Sequence, residues 1–356
     1  MFCKILHLNP KHIAFVFLAV PAVVLCGFRG HVGSDYLEYE RLFYVHELGL
    51  IKNFTFLFSP QIHTEPGFFL CNIFLKSLNL NFNTSLLFYS IISISINFFF
   101  MSKILRVNKK YYSLSLIACF TLYLSHEYIL KDFVQIRAGL ASAFILISVY
   151  YLNSFKKFSL FYIIAISFHL SALPCIFLPI IYKITAKLSP VFLILVILFI
   201  FVLPLDNFVK YVLDLVGMAE ILWKVSLYMS DNSETYALGL MHPTTIKKLF
   251  IIFLFCSIKK YIYDIHYYKI LSGLFFSITI IVALSGFGIF ATRVAAILSV
   301  FDWIALVYLF KFIKYIKLPY KELIVLLKVV FLSFLFLSFH LLITGRLYPY
   351  KPFFYQ

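Results

Sequence analysis

The chain has 356 residues, of which 63% are hydrophobic, 20% aromatic and only 13% charged. A soluble domain carries about 25% charged and about 45–50% apolar residues, so this chain has too little polar surface to be covered by water and a soluble fold is excluded. Its charges are lopsided, 31 Lys and Arg against 15 Asp and Glu for a net +16, but the lysines cluster between long apolar runs, a pattern of cytoplasmic-side membrane anchoring rather than of nucleic-acid binding.

In chain order, Lys4 and Lys11 precede an apolar run over 13–28 that resembles a signal peptide. No small-x-small cleavage pattern follows it, so it is expected to remain as the first transmembrane helix. Further apolar runs lie near 84–103, 111–130, 134–152, 190–205, 244–258, 268–285, 289–310 and 322–343. The expected fold is an all-α polytopic membrane protein of about ten or eleven transmembrane helices, each needing about 20 apolar residues, in a single membrane domain over residues 1–356.

Basic loops at 103–110, 153–158, 183–187, 259–260 and 311–321 are expected on the cytoplasmic side, leaving the acidic loops 29–65 and 205–243 outside. Two segments resist this alternation. The run at 66–80 is short, and 158–182 contains Pro174, Pro179, His169 and Ser171. Either these two are broken or re-entrant, which buried irregular backbone permits at membrane depth, or one loop departs from the charge rule. The six cysteines are dispersed through apolar runs without metal-ligand spacing, and read as small buried hydrophobes rather than as disulfides or ligands. No internal repeat is visible, which weighs against a transporter built from inverted repeats.

An ionised side chain costs about 2.5–3.5 kcal/mol at the centre of a membrane helix, so each one needs a reason. Arginine is scarce here: Arg29, Arg41, Arg106, Arg137, Arg293 and Arg346. Arg137, in Gln135-Ile136-Arg137-Ala138-Gly139, and Arg293, in Gly288-Ile289-Phe290-Ala291-Thr292-Arg293, fall just inside outer-facing helix starts. A helix start with an arginine fork suits a phosphate, whereas the plainer reading has each arginine snorkelling or pairing with Asp132 or Asp302. His169 is either a helix-packing hydrogen bonder or a general base. Asp35 and Glu65 precede expected helices, where each is either an N-cap or a functional carboxylate.

Taken in order, these segments resemble the EpsG family of bacterial polysaccharide polymerases, related in role to the Wzy O-antigen polymerases. The resemblance is carried by R-x-x-x-G-x-D-Y-x-x-Y from Arg29 to Tyr39, Glu65-Pro66-Gly67-Phe68, Gln135 to Ala141, and Phe168-His169-Leu170-Ser171-Ala172-Leu173. The Arg293 helix and Tyr348-Pro349-Tyr350-Lys351 complete it. The polar amide that commonly follows the arginine in this family precedes it here, as Gln135, which puts the role of Gln135 in question. The region 190–285 matches by hydropathy alone.

The resemblance implies a membrane glycosyltransferase joining undecaprenyl-diphosphate-linked repeat units into O-antigen or a related surface polysaccharide. The reaction is expected at the outer face of the bacterial inner membrane, without cofactor; the sequence shows no compact metal-ligand cluster, although one or two carboxylates could hold Mg²⁺. Its implied partners are lipid-linked glycans, membrane lipid, and a chain-length regulator and flippase of the same pathway, with no nucleic acid. Arg137, Arg293, Arg29 and Arg346 are the expected diphosphate contacts. Asp35 is the favoured base, with His169 and Glu65 as further catalytic candidates and Gln135 and Tyr36 in support. A flippase for the same lipids and a glycan acyltransferase are the competing classes.

Overall fold

The computed structural model describes residues 10–29, 35–46, 64–105, 112–203, 243–259 and 264–310, with isolated positions between 207 and 215. They fold into helices, and no strand element forms among the described residues. Two compact units emerge: residues 1–148, 156–172 and 317–356, and residues 149–155 and 173–316.

In the first unit, α1 (Pro10–Gly27) packs on α4 (Phe82–Leu105), and both meet α5 (Tyr112–Leu122) and the π-helix Tyr123–Val134. α4 presents Ser90, Ser93 and Asn97, spaced three and four apart, as a buried polar stripe. Asn97 Nδ2 donates to the Tyr123 hydroxyl at 3.2 Å, and that hydroxyl donates to Asp132 Oδ2 at 2.5 Å. π-Helical geometry is usually confined to single turns near functional sites. Here it runs for 12 residues, holds a buried Lys131–Glu127 ion pair at 2.6 Å, and ends at Gln135 (φ −109°, ψ 65°), where α6 (Ile136–Tyr150) begins.

Two short helices also belong to this unit, α2 (Tyr36–Val45) and α3 (Pro66–Ser77). At 12 residues α3 is about 18 Å long, too short to cross a hydrocarbon core of about 30 Å. Lys76 of α3 donates to the carbonyls of Tyr44 and His46 at 3.0 and 2.8 Å, satisfying the end of α2. Tyr89 of α4 donates to Asn72 Oδ1 at 2.5 Å, and Asn72 Nδ2 lies 2.9 Å from Nδ1 of the fully buried His46.

Burial, helped by the positive charges of Lys76 and Arg137, pushes the His46 imidazole down to about 4. Protonation would also set an N–H on Nδ1 against the Asn72 amide. An unfolded His titrates near 6.5. The neutral form is therefore the one the fold stabilises, and stability is lost as pH falls from about 6.5 towards about 4, by up to about 3 kcal/mol. Thermal unfolding of the detergent-solubilised protein should show this loss, and His46→Gln, which keeps an acceptor without a titration, should flatten it; equal slopes would exclude His46 as the source.

α7 (Phe155–Phe168) is interrupted at His169, after which the chain runs as a 3₁₀ helix (Leu170–Phe177) into α8 (Leu178–Lys187). Pro174 lies inside the 3₁₀ stretch, where its missing N–H forbids a regular α-helical ladder. The break expected within 158–182 is thus located at one residue.

The second unit is centred on α11 (Ile265–Ala283), which meets α8, α9 (Pro190–Val202), α10 (Pro243–Ser257), α12 (Ile289–Ala296) and α13 (Val300–Phe310). A β-carbon on Gly273 would lie 2.6 Å from the Phe301 ring, so glycine sets the approach of α11 to α13. Three described stretches are long and apolar enough to cross a membrane, Phe82–Leu105, Leu170–Lys187 and Ile265–Ala283, and a pair bent by 55°, Phe290–Ala296 with Val300–Leu309, makes a fourth. Shorter apolar helices include Ile136–Tyr150 and Pro190–Val202. The larger count expected from hydropathy includes a run, 322–343, outside the described residues.

Candidate active site

Three separate pieces of the first unit converge on one carboxylate. Glu65 stands in extended conformation (φ −64°, ψ 140°) immediately before Pro66 at the first position of α3, as the residue before a proline must. Its side chain makes no capping bond to α3. It points away instead: Oε2 accepts from Arg137 Nη1 at 2.6 Å, while Oε1 lies 3.4 Å from both His169 Nδ1 and the Leu170 amide. The capping alternative for Glu65 is thereby replaced by an ion pair reaching across the unit.

Each partner is delivered by a break in regular structure. Arg137 sits in the first turn of α6, where the π-helix has just ended. His169 is the residue at which α7 stops, and the Leu170 amide just beyond the break turns to Glu65. Arg137 Nη1 also donates to Thr64 Oγ1 at 3.3 Å, and the guanidinium covers the Tyr39 and Phe68 rings at 5.3 and 5.8 Å. Its Nε is buried without a hydrogen-bond partner. The pairing of Arg137 with Asp132, considered from sequence, is not what forms: Asp132 accepts from Tyr123, and Arg137 takes Glu65.

Burial alone would raise the Glu65 carboxyl, but the Arg137 guanidinium and His169 outweigh it and hold it well below the usual carboxylate range. The Arg137–Glu65 pair is therefore ionised at any physiological pH, and the two charges cancel. His169 Nδ1 is offered two alternatives, donation to Glu65 Oε1 or acceptance from the Ser171 amide, both at 3.4 Å. In the first, Nε2 carries the lone pair, which is the form of a general base. The His169 side chain is 30% exposed and that of Arg137 22%, against 10% for Glu65, so the two partners, rather than the carboxylate, are reachable from outside.

Close packing fixes the arrangement. A β-carbon at Gly67 would lie 2.7 Å from the backbone oxygen of Ser167 and 2.4 Å from its hydroxyl. The start of α3 therefore touches the end of α7 directly, one turn from the break that carries His169.

Of the other residues expected to act, Asp35 precedes α2 without capping it, and its charge reaches Tyr39, the ring beneath Arg137. Tyr36 is buried on α2, its hydroxyl 3.3 Å from Asn83 Oδ1. Gln135 occupies the joint between the π-helix and α6. Arg29 is fully buried against the Phe133 and Tyr36 rings at 5.0 and 5.5 Å, with none of its guanidinium nitrogens hydrogen-bonded. Arg293 is half-buried on α12 in the second unit. Asp302, considered as its partner, binds Lys248 and Lys247 instead. Arg346 lies outside the described residues. Thr64, Tyr39, Phe68 and the Leu170 amide were not anticipated as contacts; Thr64 and Phe68 flank the Glu-Pro-Gly string and Tyr39 closes the string that begins at Arg29.

As for ligands, the carboxylate of this centre is already committed to Arg137 and His169, and no group of three His, Cys, Asp or Glu side chains converges among the described residues.

A membrane protein, helical throughout its described elements, with an Arg–Glu–His centre at helix breaks is the class defined by this geometry. The chain belongs to the EpsG family, whose profile matches residues 12–352, nearly its whole length, and which supports the polysaccharide-polymerase class. No curated protein and no solved structure matches it.

Proposed function

We propose that the protein is a glycosyltransferase that polymerises undecaprenyl-diphosphate-linked repeat units into O-antigen or a related surface polysaccharide, at the outer face of the bacterial inner membrane. The observation that carries this reading is the single carboxylate of Glu65 tying Arg137 to His169, in a chain of this family. Glu65 orients the imidazole and stabilises its protonated form. His169 Nε2 removes the proton from the acceptor hydroxyl, whose oxygen attacks the anomeric carbon of the donor. The bond from that carbon to the diphosphate oxygen breaks, and the lipid diphosphate leaves with the bonding pair.

The Arg137 side chain, 22% exposed, answers the developing charge of that leaving group. This moves the base from Asp35, favoured on sequence, to His169, because it is His169 that has an orienting carboxylate. Asp35 retains a place beside Tyr39 in holding the acceptor. Lipid-linked glycans are the substrates, and the flippase and chain-length regulator of the same pathway are the working partners.

Deleting the gene and resolving the surface polysaccharide on a gel tests the reading. Loss of a polymerase leaves single capped repeat units. Absence of any repeat unit outside would instead identify a flippase, and full-length polymer lacking a substituent would identify an acyltransferase.

A further inference from the structure

The second unit holds a cluster of charge that the centre at Glu65 does not use. Asp302, fully buried on α13, receives Lys248 on both carboxylate oxygens, at 2.8 and 2.9 Å, and shares Oδ2 with Lys247 at 3.0 Å. One carboxylate thus faces two ammonium groups. Lys248 is 2% exposed and accounts for the buried pair. Lys247 is the surplus: its side chain is 20% exposed, and its ammonium lies 5.1 Å over the Trp303 ring. An ammonium has three N–H donors, and Asp302 occupies one of those of Lys247.

Both lysines belong to the first two turns of α10, a 15-residue helix whose N-terminus adds positive potential. One turn before Lys248, and so on the same face, Thr245 is fully buried with no partner for its hydroxyl. An ion pair that served packing alone needs a single lysine, and a second cation beside it is unfavourable unless another group answers its charge. Asp264, another described acid of this unit, is engaged elsewhere, by Tyr308.

We infer that Lys247, Lys248, Thr245 and the start of α10 form an anion site for a diphosphate, with Asp302 setting the spacing of the two ammonium groups. The choice of ligand rests on the polymerisation reading. Each turnover then engages two lipid diphosphates, one on the donor and one on the acceptor, whereas the charge of Arg137 is already cancelled by Glu65. The site supplies the unmatched positive charge that a second diphosphate requires.

Trp303 is a built-in reporter, since the chain has only two tryptophans, Trp223 and Trp303. The full-length Trp223→Phe protein in phosphatidylcholine nanodiscs is titrated with inorganic pyrophosphate, and separately prepared with undecaprenyl diphosphate in the bilayer. A saturable change in Trp303 emission is expected in both arms; a change with the lipid alone would identify the lipid-borne diphosphate as the source. Lys247→Gln should weaken pyrophosphate binding at least about tenfold and Lys247→Arg should restore it. Because Lys247→Gln leaves the Lys248–Asp302 pair in place, its melting temperature should match the parent.

No change in either arm, an equal change with sulfate at matched ionic strength, or undiminished binding by Lys247→Gln would overturn the site. The deletion phenotype is scored independently, so the polymerase reading and this site can fail separately.

Discussion

Arg137→Ala is expected to reduce chain extension at least about a hundredfold, leaving the protein in the membrane and the surface carrying single repeat units. The pair it breaks is short, 2.6 Å, and largely shielded from solvent. Losing one member of such a pair typically costs about 3–5 kcal/mol because the other is left buried and unmatched. Here the stranded group is Glu65, which also orients His169, so the loss falls on the reaction as well as on the fold. Glu65→Ala should be similarly inactive by the opposite route, stranding Arg137. The double variant is the informative one: residues acting as a unit are non-additive, so it should be no worse than either single change. Long polysaccharide ladders from Arg137→Ala at normal membrane abundance would remove Arg137 from the mechanism, and additive losses would separate it from Glu65. Glu65→Gln, which keeps shape and a hydrogen-bonding group but loses the charge, should fall between.

Glu65, His169 and Arg137 were legible in the sequence as separate oddities, each a polar group where apolar residues are cheaper. What was not legible was their meeting, because residues 65, 137 and 169 are joined only through the packing of α3, α6 and α7. The break at His169 was foreshadowed by Pro174 and Pro179, whose missing N–H groups disfavour a continuous helix. The π-helix before Arg137 was not: the run 111–130 reads as an ordinary membrane helix, and the buried Glu127, Lys131 and Asp132 find partners only after folding. The plainer pairings of the arginines failed for a similar reason. Asp132 and Asp302 are near Arg137 and Arg293 along the chain, but the fold hands them to Tyr123 and to the lysines of α10. Proximity in sequence is a poor guide to ion pairing when residues 54 positions apart, such as Lys248 and Asp302, lie on helices packed side by side. Hydropathy likewise established membrane helices without establishing which apolar runs are long enough to cross.

Gly67→Ala tests the geometry without touching a charge. The added β-carbon would stand 2.4 Å from the Ser167 hydroxyl, 2.7 Å from the Ser167 carbonyl oxygen and 2.9 Å from its carbon, all below any ordinary contact. The hydroxyl can rotate away, but the carbonyl belongs to the end of α7 and yields only if α3 and α7 move apart. Glu65 sits two residues before Gly67, and His169 two residues after Ser167, so the movement opens the 3.4 Å contact of Glu65 with His169 and with the Leu170 amide. Overpacking of this kind costs about 1–3 kcal/mol in stability, which the fold can absorb. A displacement of about 1 Å at a catalytic group costs about a hundredfold in rate. The expected result is a protein of near-normal abundance whose polysaccharide ladder is truncated nearly as severely as that of Arg137→Ala. Ser167→Ala in the Gly67→Ala background separates the two contacts. It removes the hydroxyl and leaves the carbonyl, so it should restore little; full recovery would show that the side chain alone was the obstacle and that the helix ends were never forced apart.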